Sequence, residues 1–196
     1  MLKRIFDIIF SSAGLLLLLP VFIVVAIIVK LDSKGPVFYK QSRVGKNNKD
    51  FRLYKFRTMD PDSDKKGLLT VGGKDPRITR SGYYLRKFKL DELPQLINVL
   101  IGEMSFVGPR PEVRKYVDIY TEEQIKVLDV SPGITDVASI KYRNENELLE
   151  KADDPEKYYI EIIMPDKIDL NLEYINQRSV FKDVKVILKT LTSVFS

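Results

Sequence analysis

The run from Ile8 to Val29 carries no charged side chain and is built mostly of Leu, Ile, Val and Phe. About 20 consecutive apolar residues are enough to cross the hydrocarbon core of a bilayer as a helix. The run is long for the apolar core of a cleavable leader, and no small-x-small site follows it before Lys30. Two features argue against a plain crossing. Pro20 sits inside the run, where it removes a helical hydrogen bond to the Leu16 carbonyl and bends the chain. Basic residues also flank both ends, Lys3 and Arg4 before it and Lys30, Lys34, Lys40 and Arg43 after it. Basic flanks prefer the cytoplasmic side, so a helix that enters, kinks at Pro20 and returns satisfies both ends. In that geometry Asp7, Ser11 and Ser12 lie near the headgroups. A single crossing helix with a tolerated proline stays open on these grounds.

The remaining chain reads as soluble and globular. Apolar residues make up 44% of the sequence, enough for an ordinary core, and the net charge of +5 suits anionic ligands, nucleic acid or an anionic membrane without choosing among them. The chain has no cysteine and no histidine. That excludes disulfides, Cys/His zinc sites, imidazole bases and the Ser-His-Asp triad. A nucleophile or base must then be Asp, Glu, Lys, Ser, Thr or Tyr, and any metal a hard cation such as Mg²⁺.

Val37–Tyr39 and Phe51–Phe56 read as short strands separated by the basic loop Arg43–Asn48, as in a β-hairpin. Residues 60–73 read as an exposed loop. A helix begins near Ser81, with Tyr84, Leu85 and Phe88 on one face. A second carries Leu93, Leu96, Ile97, Leu100 and Ile101 at the spacing of one buried face, and Gly102 ends it. Pro94 fits only the first turn, so Asp91 and Glu92 fall at the helix start. Residues 112–128 read as helical, Pro132-Gly133 as a turn, and the last third as helices closing on a basic amphipathic stretch. The fold class is α/β, mostly helical, with a short β-hairpin.

Adjacent acids at a helix start have an ordinary meaning: they cap free amides and suit the helix dipole. Their surroundings point further. Arg86 and Lys89 precede them, Lys55 and Arg57 lie on the preceding strand, and Arg110 sits in the stiff loop Gly108-Pro-Arg-Pro111. Arginine forks match phosphate oxygens, and a carboxylate among guanidinium groups stays ionised.

The segments Lys55-Phe-Arg-Thr-Met59, Arg86-Lys-Phe-Lys-Leu-Asp-Glu-Leu-Pro-Gln95, Gly102-Glu-Met-Ser-Phe-Val-Gly-Pro-Arg-Pro111 and Pro132-Gly-Ile-Thr135, with Lys3-Arg-Ile-Phe-Asp7, resemble the bacterial sugar transferases. More narrowly, they resemble the small monotopic phosphoglycosyl transferases that begin glycoconjugate assembly. The resemblance covers residue 3 to about 145. It implies transfer of a sugar 1-phosphate from a UDP-sugar to polyprenol (undecaprenyl) phosphate, releasing UMP. Asp91 would be the nucleophile, forming an aspartyl phosphosugar, with Glu92 beside it and Mg²⁺ bridging the pair and the diphosphate. Arg86 and Arg110 would hold phosphate oxygens, with Lys55, Arg57 and Arg143 as further candidates. It also implies a re-entrant membrane helix over residues 1–30, broken at Pro20. Residues 31–196 would form a catalytic domain on the cytoplasmic face of the bacterial inner membrane, in contact with its lipid.

Three departures stand out. Leu19 replaces the serine that often precedes the break, Asp136-Val-Ala-Ser139 replaces the usual segment after Pro-Gly-Ile-Thr, and the tail beyond about Glu145 does not fit the pattern. The competing reading is a non-catalytic membrane scaffold that binds anionic lipid or a partner through its basic face. It gives no reason for arginines to gather around one acidic pair. No nucleic-acid partner is expected, because no binding motif or stacking platform is present.

Overall fold

The computed structural model describes residues 2–63, 69 and 75–195. The chain opens with α1 (Leu2–Leu17) and α2 (Leu19–Asp32), bent by 61° at Leu18. No single helix among the described residues is long and apolar enough to cross a membrane, whereas these two together are. Pro20 lies in the first turn of α2, where its missing N–H costs nothing, and its ring prevents α1 from running straight on. Around the break the Leu18 amide still donates to the Gly14 carbonyl and the Phe22 amide to the Leu18 carbonyl, both at 2.9 Å. Ser11 does not serve the break. It is buried, and its hydroxyl donates to the Ile8 carbonyl at 3.3 Å.

The hairpin strands are β1 (Phe38–Val44) and β2 (Asp50–Phe56), antiparallel with Phe38 opposite Phe56 and Val44 opposite Asp50. Asn47 and Asn48 make the tight turn in the left-handed region, at φ 56° and 59°, which asparagine tolerates. Most of the expected loop over residues 60–73 lies outside the described residues. Helix α3 (Arg80–Lys87) starts at Thr79, whose hydroxyl accepts from the Gly82 amide at 3.0 Å. Gly82 lets this turn close on β2's exit: a Cβ there would lie 2.1 Å from the Thr58 carbonyl oxygen. Only Leu85 of the expected α3 face is buried, among Val25, Val29 and Phe56; Tyr84 and Phe88 are exposed.

A 3₁₀ turn at Leu90–Glu92 leads into α4 (Gln95–Ile101), ended by Gly102 at φ +98°. Asn98 fastens α4 to β2. Its Oδ1 accepts from the Tyr54 amide at 3.0 Å, and its Nδ2 donates to the Arg52 carbonyl at 2.8 Å. Strands β3 (Ser105–Val107) and β4 (Gly133–Thr135) pair in parallel. Pro132-Gly133 is therefore the entry to a strand, not a turn. A Cβ on Gly133 would lie 2.2 Å from the Gly108 nitrogen, so the missing side chain permits the pairing.

The helix expected over residues 112–128 is split into α5 (Arg114–Val117) and a 3₁₀ segment at Gln124–Asp129, because the Thr121 hydroxyl accepts from the Gln124 amide and starts a new turn. Then follow α6 (Val137–Lys141), α7 (Glu145–Glu150), α8 (Pro155–Tyr158), α9 (Met164–Asn176) and α10 (Val180–Phe195). Val113, Tyr116, Val127, Leu149, Tyr159, Ile163, Met164 and Ile168 form the largest core cluster, beneath the loop that carries Arg110.

Candidate active site

Lys89 adopts the left-handed conformation and turns the chain so that Asp91 and Glu92 enter the protein before α4 begins. Lys55 projects from β2 and donates to Glu92 Oε1 at 3.1 Å. Arg110 closes on the same carboxylate with both arms, Nη2 to Oε1 and Nη1 to Oε2, the latter at 3.2 Å. Fork-to-carboxylate pairing of this kind fixes geometry as well as charge. Arg110 is itself held from behind. Its amide donates to Asp136 Oδ2 at 2.6 Å, while Asp136 Oδ1 accepts from the Ser139 amide and caps α6. Asp136 is fully buried and ties the Gly-Pro-Arg-Pro loop to the segment after β4.

The two acids end in different electrostatic states. Burial disfavours charge on Glu92, but Arg110 and Lys55 outweigh it and hold that carboxyl well below its usual range. Glu92 in turn keeps the Arg110 guanidinium firmly protonated. Burial, and then the neighbouring Glu92 charge, push the Asp91 carboxyl up; Lys55, Arg86 and Lys89 pull against that without reversing it. Glu92 is thus the paired acid of the two, and its neighbours hold it in the ionised form that a carboxylate among cations is expected to keep. Asp91 Oδ1 is buried and makes no hydrogen bond. Burial also lowers the Lys55 ammonium, and Glu92 offsets only part of that.

The other sequence candidates are placed differently. Arg86 is half-buried on α3, near enough to favour charge on Asp91. Arg143 is exposed in the turn between α6 and α7. Arg57 is buried at the end of β2 and turns to the membrane hairpin. It donates to the Lys34 carbonyl, to Ser33 at 2.7 Å and to Val29 at 3.2 Å. Its donors close the C-terminal end of α2 and do not face the dyad. Asp7, expected near the headgroups, is buried and accepts from the Ser105 hydroxyl at 3.1 Å and the Phe106 amide at 3.2 Å.

Asp136 was missed as a site residue, and Gln95 is a second buried polar side chain close in sequence to the dyad. Gln95 is buried in the first turn of α4 with its amide nitrogen unpartnered. Its place four residues after Asp91, one helical turn on, was the available signal. For a metal, the described residues contain no group of three or more His, Cys, Asp or Glu side chains. The free Asp91 oxygen is the donor a hard cation takes. Mg²⁺ commonly uses one or two carboxylates and completes its shell with phosphate and water, so this pair fits such an ion.

The sequence profile of the family described as bacterial sugar transferase matches residues 1–196. Among similar proteins, the UDP-glucose:undecaprenyl-phosphate glucose-1-phosphate transferase of Escherichia coli K12 is 39% identical over 199 residues, taking in 100% of this chain and 40% of that protein. The UDP-N-acetylgalactosamine-undecaprenyl-phosphate N-acetylgalactosaminephosphotransferase of Aeromonas hydrophila is 37% identical over 198 residues, again 100% of this chain and 44% of the relative. The chain thus spans less than half the length of these two. The uncharacterized sugar transferase EpsL of Bacillus subtilis strain 168 is nearer in size: 40% identical over 196 residues, 98% of this chain and 87% of the relative.

Proposed function

The chain belongs to the bacterial sugar transferase family, and from that premise we propose that it moves a sugar 1-phosphate from a UDP-sugar to a polyprenol phosphate. The substrate classes follow the names of the relatives, two of which act with undecaprenyl phosphate and with UDP-glucose or UDP-N-acetylgalactosamine. One observation carries the catalytic assignment: a buried Asp91 oxygen without a partner, beside a Glu92 that pairs with Lys55 and Arg110. Buried polar atoms are nearly always paired, so an orphaned carboxylate oxygen marks a place kept for a ligand.

In the proposed reaction an Asp91 oxygen attacks the β-phosphorus of the UDP-sugar. The bond from that phosphorus to the bridging oxygen breaks, and UMP leaves with the oxygen. The sugar phosphate is then held on Asp91 as an acyl phosphate. An oxygen of the polyprenol phosphate attacks the same phosphorus, the Asp91 carboxylate leaves, and the product is a polyprenol diphosphate sugar. A raised carboxyl is the more basic, hence stronger, nucleophile once ionised. Glu92 keeps Arg110 and Lys55 in place beside the phosphate site, and Arg86 approaches from α3. Asp91 and Glu92 would hold Mg²⁺, and the charge it supplies there would favour attack at the phosphorus.

The α1–α2 pair is read as re-entrant, entering and leaving on the cytoplasmic face. The 61° bend and the attachments of both ends to one domain support this. The test is UMP release from UDP-sugars with undecaprenyl phosphate and Mg²⁺, together with recovery of radiolabelled phosphosugar on the protein when the lipid is withheld. UMP release that needs the lipid and leaves no label on the chain would exclude the covalent route. Absence of turnover with every UDP-sugar, in protein shown to be folded, would exclude the activity.

A further inference from the structure

The loop that carries Arg110 runs into Glu112, and two distant parts of the chain meet it there. Arg43 of β1 donates from Nη1 to Glu112 Oε1 at 3.0 Å and to the Pro111 carbonyl at 3.1 Å. The Glu112 carbonyl accepts from the Val44 amide at 2.8 Å, and the Val113 amide donates to Glu112 Oε1 at 2.8 Å. The other carboxylate oxygen accepts from the Tyr159 hydroxyl. Tyr159 is 3% exposed and opens a single turn of π-helix, Tyr159–Ile163, between α8 and α9. The wide turn stands just before Pro165, which has no amide to give the Glu161 carbonyl. Such turns are rare and gather at functional sites. Burial, and then the Glu112 charge, raise the Tyr159 phenol well above its usual value, so its hydroxyl stays a donor. Tyr159 lies in the tail beyond Glu145, to which the sequence assigned no role in the site.

The space behind the loop is not filled. A cavity of about 40 Å³ lies between it and α9, lined by Pro109, Pro111, Tyr159, Lys167 and Asn171. Close packing therefore does not fix Arg110 from that side, and the hydrogen bonds along the loop must. We propose that Glu112, clamped between Arg43 and Tyr159, is a positioning residue for Arg110. Asp136 holds the Arg110 amide, and Glu112 holds the chain two residues on. Pro111 stands between them with a fixed φ, so a shift at Glu112 is passed to Arg110 and not absorbed. The inference rests on the reaction proposed above, in which Arg110 stands beside the phosphate site. A displacement of about 1 Å at such a site can slow a reaction about a hundredfold, so a clamp remote from the phosphorus still bears on the rate.

Tyr159→Phe removes the hydroxyl and keeps the ring that packs against Tyr116. In the full chain it should lower kcat about tenfold and leave KM for the UDP-sugar within about twofold, because a displaced guanidinium weakens the transition state more than the bound substrate. In the Arg110→Ala background the same substitution should change kcat by less than about twofold, since no guanidinium remains to misplace. Equal losses in the two backgrounds would make Tyr159 a packing residue and overturn the proposal, as would an unchanged kcat. Arg43→Gln opens the other side of the clamp and should behave alike; it carries the test if circular dichroism shows Tyr159→Phe to be unfolded. Hydrogen exchange gives a readout free of turnover. The Arg110 and Val113 amides should exchange several-fold faster in Tyr159→Phe, with those of α4 unchanged. Exchange that does not quicken there would overturn the proposal on its own. A wild-type chain that releases no UMP would instead defeat the reaction, and exchange would still decide whether Tyr159 holds the loop.

Discussion

The hairpin attachment and the carboxylate pair use the same kinds of side chain and leave them in opposite states. At the attachment, both terminal nitrogens of Arg57 donate to carbonyls at the end of α2, leaving only its Nε without a partner, and Arg4 donates to Val99 and Leu100 at the end of α4, at 2.5 and 2.8 Å. Val29, Val99 and Leu100 lie in the last turns of their helices, at the negative end of the dipole, and Ser33 and Lys34 directly follow α2. At the dyad, Arg110 and Lys55 converge on Glu92, and Asp91 Oδ1 receives nothing. A satisfied buried charge serves stability. An unsatisfied one costs stability and keeps the capacity to bind. The comparison predicts that substitutions at the two places will separate folding from chemistry.

The largest effect is expected at Asp91. Asp91→Asn should lower UMP release about a thousandfold or more, the usual scale for loss of a nucleophile. It should not lower the melting temperature at neutral pH. Burial raises this carboxyl, so its ionisation above the unfolded value works against the fold, and the neutral amide lacks that cost. The same shift places the acid limb of the wild-type rate above the ordinary aspartate value of 3.8. A melting temperature several degrees lower in the variant would make Asp91 a structural residue and break the comparison.

Glu92→Gln should damage both properties. It leaves Arg110 and Lys55 without their counter-ion, which should cost about 3 kcal/mol for a largely buried pair. The pH dependence has a definite sign. Glu92 is held below its usual value, so its stabilisation is complete above the unfolded value of about 4.5 and is lost as the pH falls through the folded one. Denaturant melts of wild type and variant should therefore differ most near neutrality and converge in acid.

Arg57 sharpens the contrast, because the sequence also offers it, after Arg86 and Arg110, as a candidate for the phosphate site. Arg57→Lys should lose about 2 kcal/mol, since one ammonium cannot replace a fork shared among several buried carbonyls. Its kcat, measured on folded protein, should stay within a few-fold of wild type. A kcat loss matching that of Arg110→Ala, with no change in melting, would return Arg57 to the phosphate site.

These assignments show what could be read along the chain. The β-hairpin, the helix ended by Gly102 and the dyad at its start come from local pattern, because periodicity and capping act over a few residues. The meeting of Lys55, Glu92 and Arg110 was also expected, on chemistry. Arg57 was misplaced because its partners lie 23 to 28 residues earlier, at the end of a helix whose path depends on the bend at Leu18. Gly133 was read as a turn because Pro-Gly usually makes one; only the nearness of Gly108, from a distant segment, makes it a strand. Asp136 looked like a departure in a loop, yet it is the residue that braces Arg110.

The smallest effect is expected at Arg4. Its guanidinium meets the Val99 and Leu100 carbonyls beside an exposed Gly102, so water can take over once it is gone. Arg4→Ala should then cost about 1 kcal/mol, in the range for helix C-terminal cations and caps. Amide exchange should quicken near residues 102–104, whose amides bond the Asn98 carbonyl. Arg4 and Arg57 close different helices, so the double variant with Arg57→Lys should show the sum of the two losses. A double loss well short of the sum would mean that freeing one end of the hairpin already frees the other. The hairpin would then dock as a single unit, and the attachment would resemble the dyad, whose members act together, more than a set of independent caps.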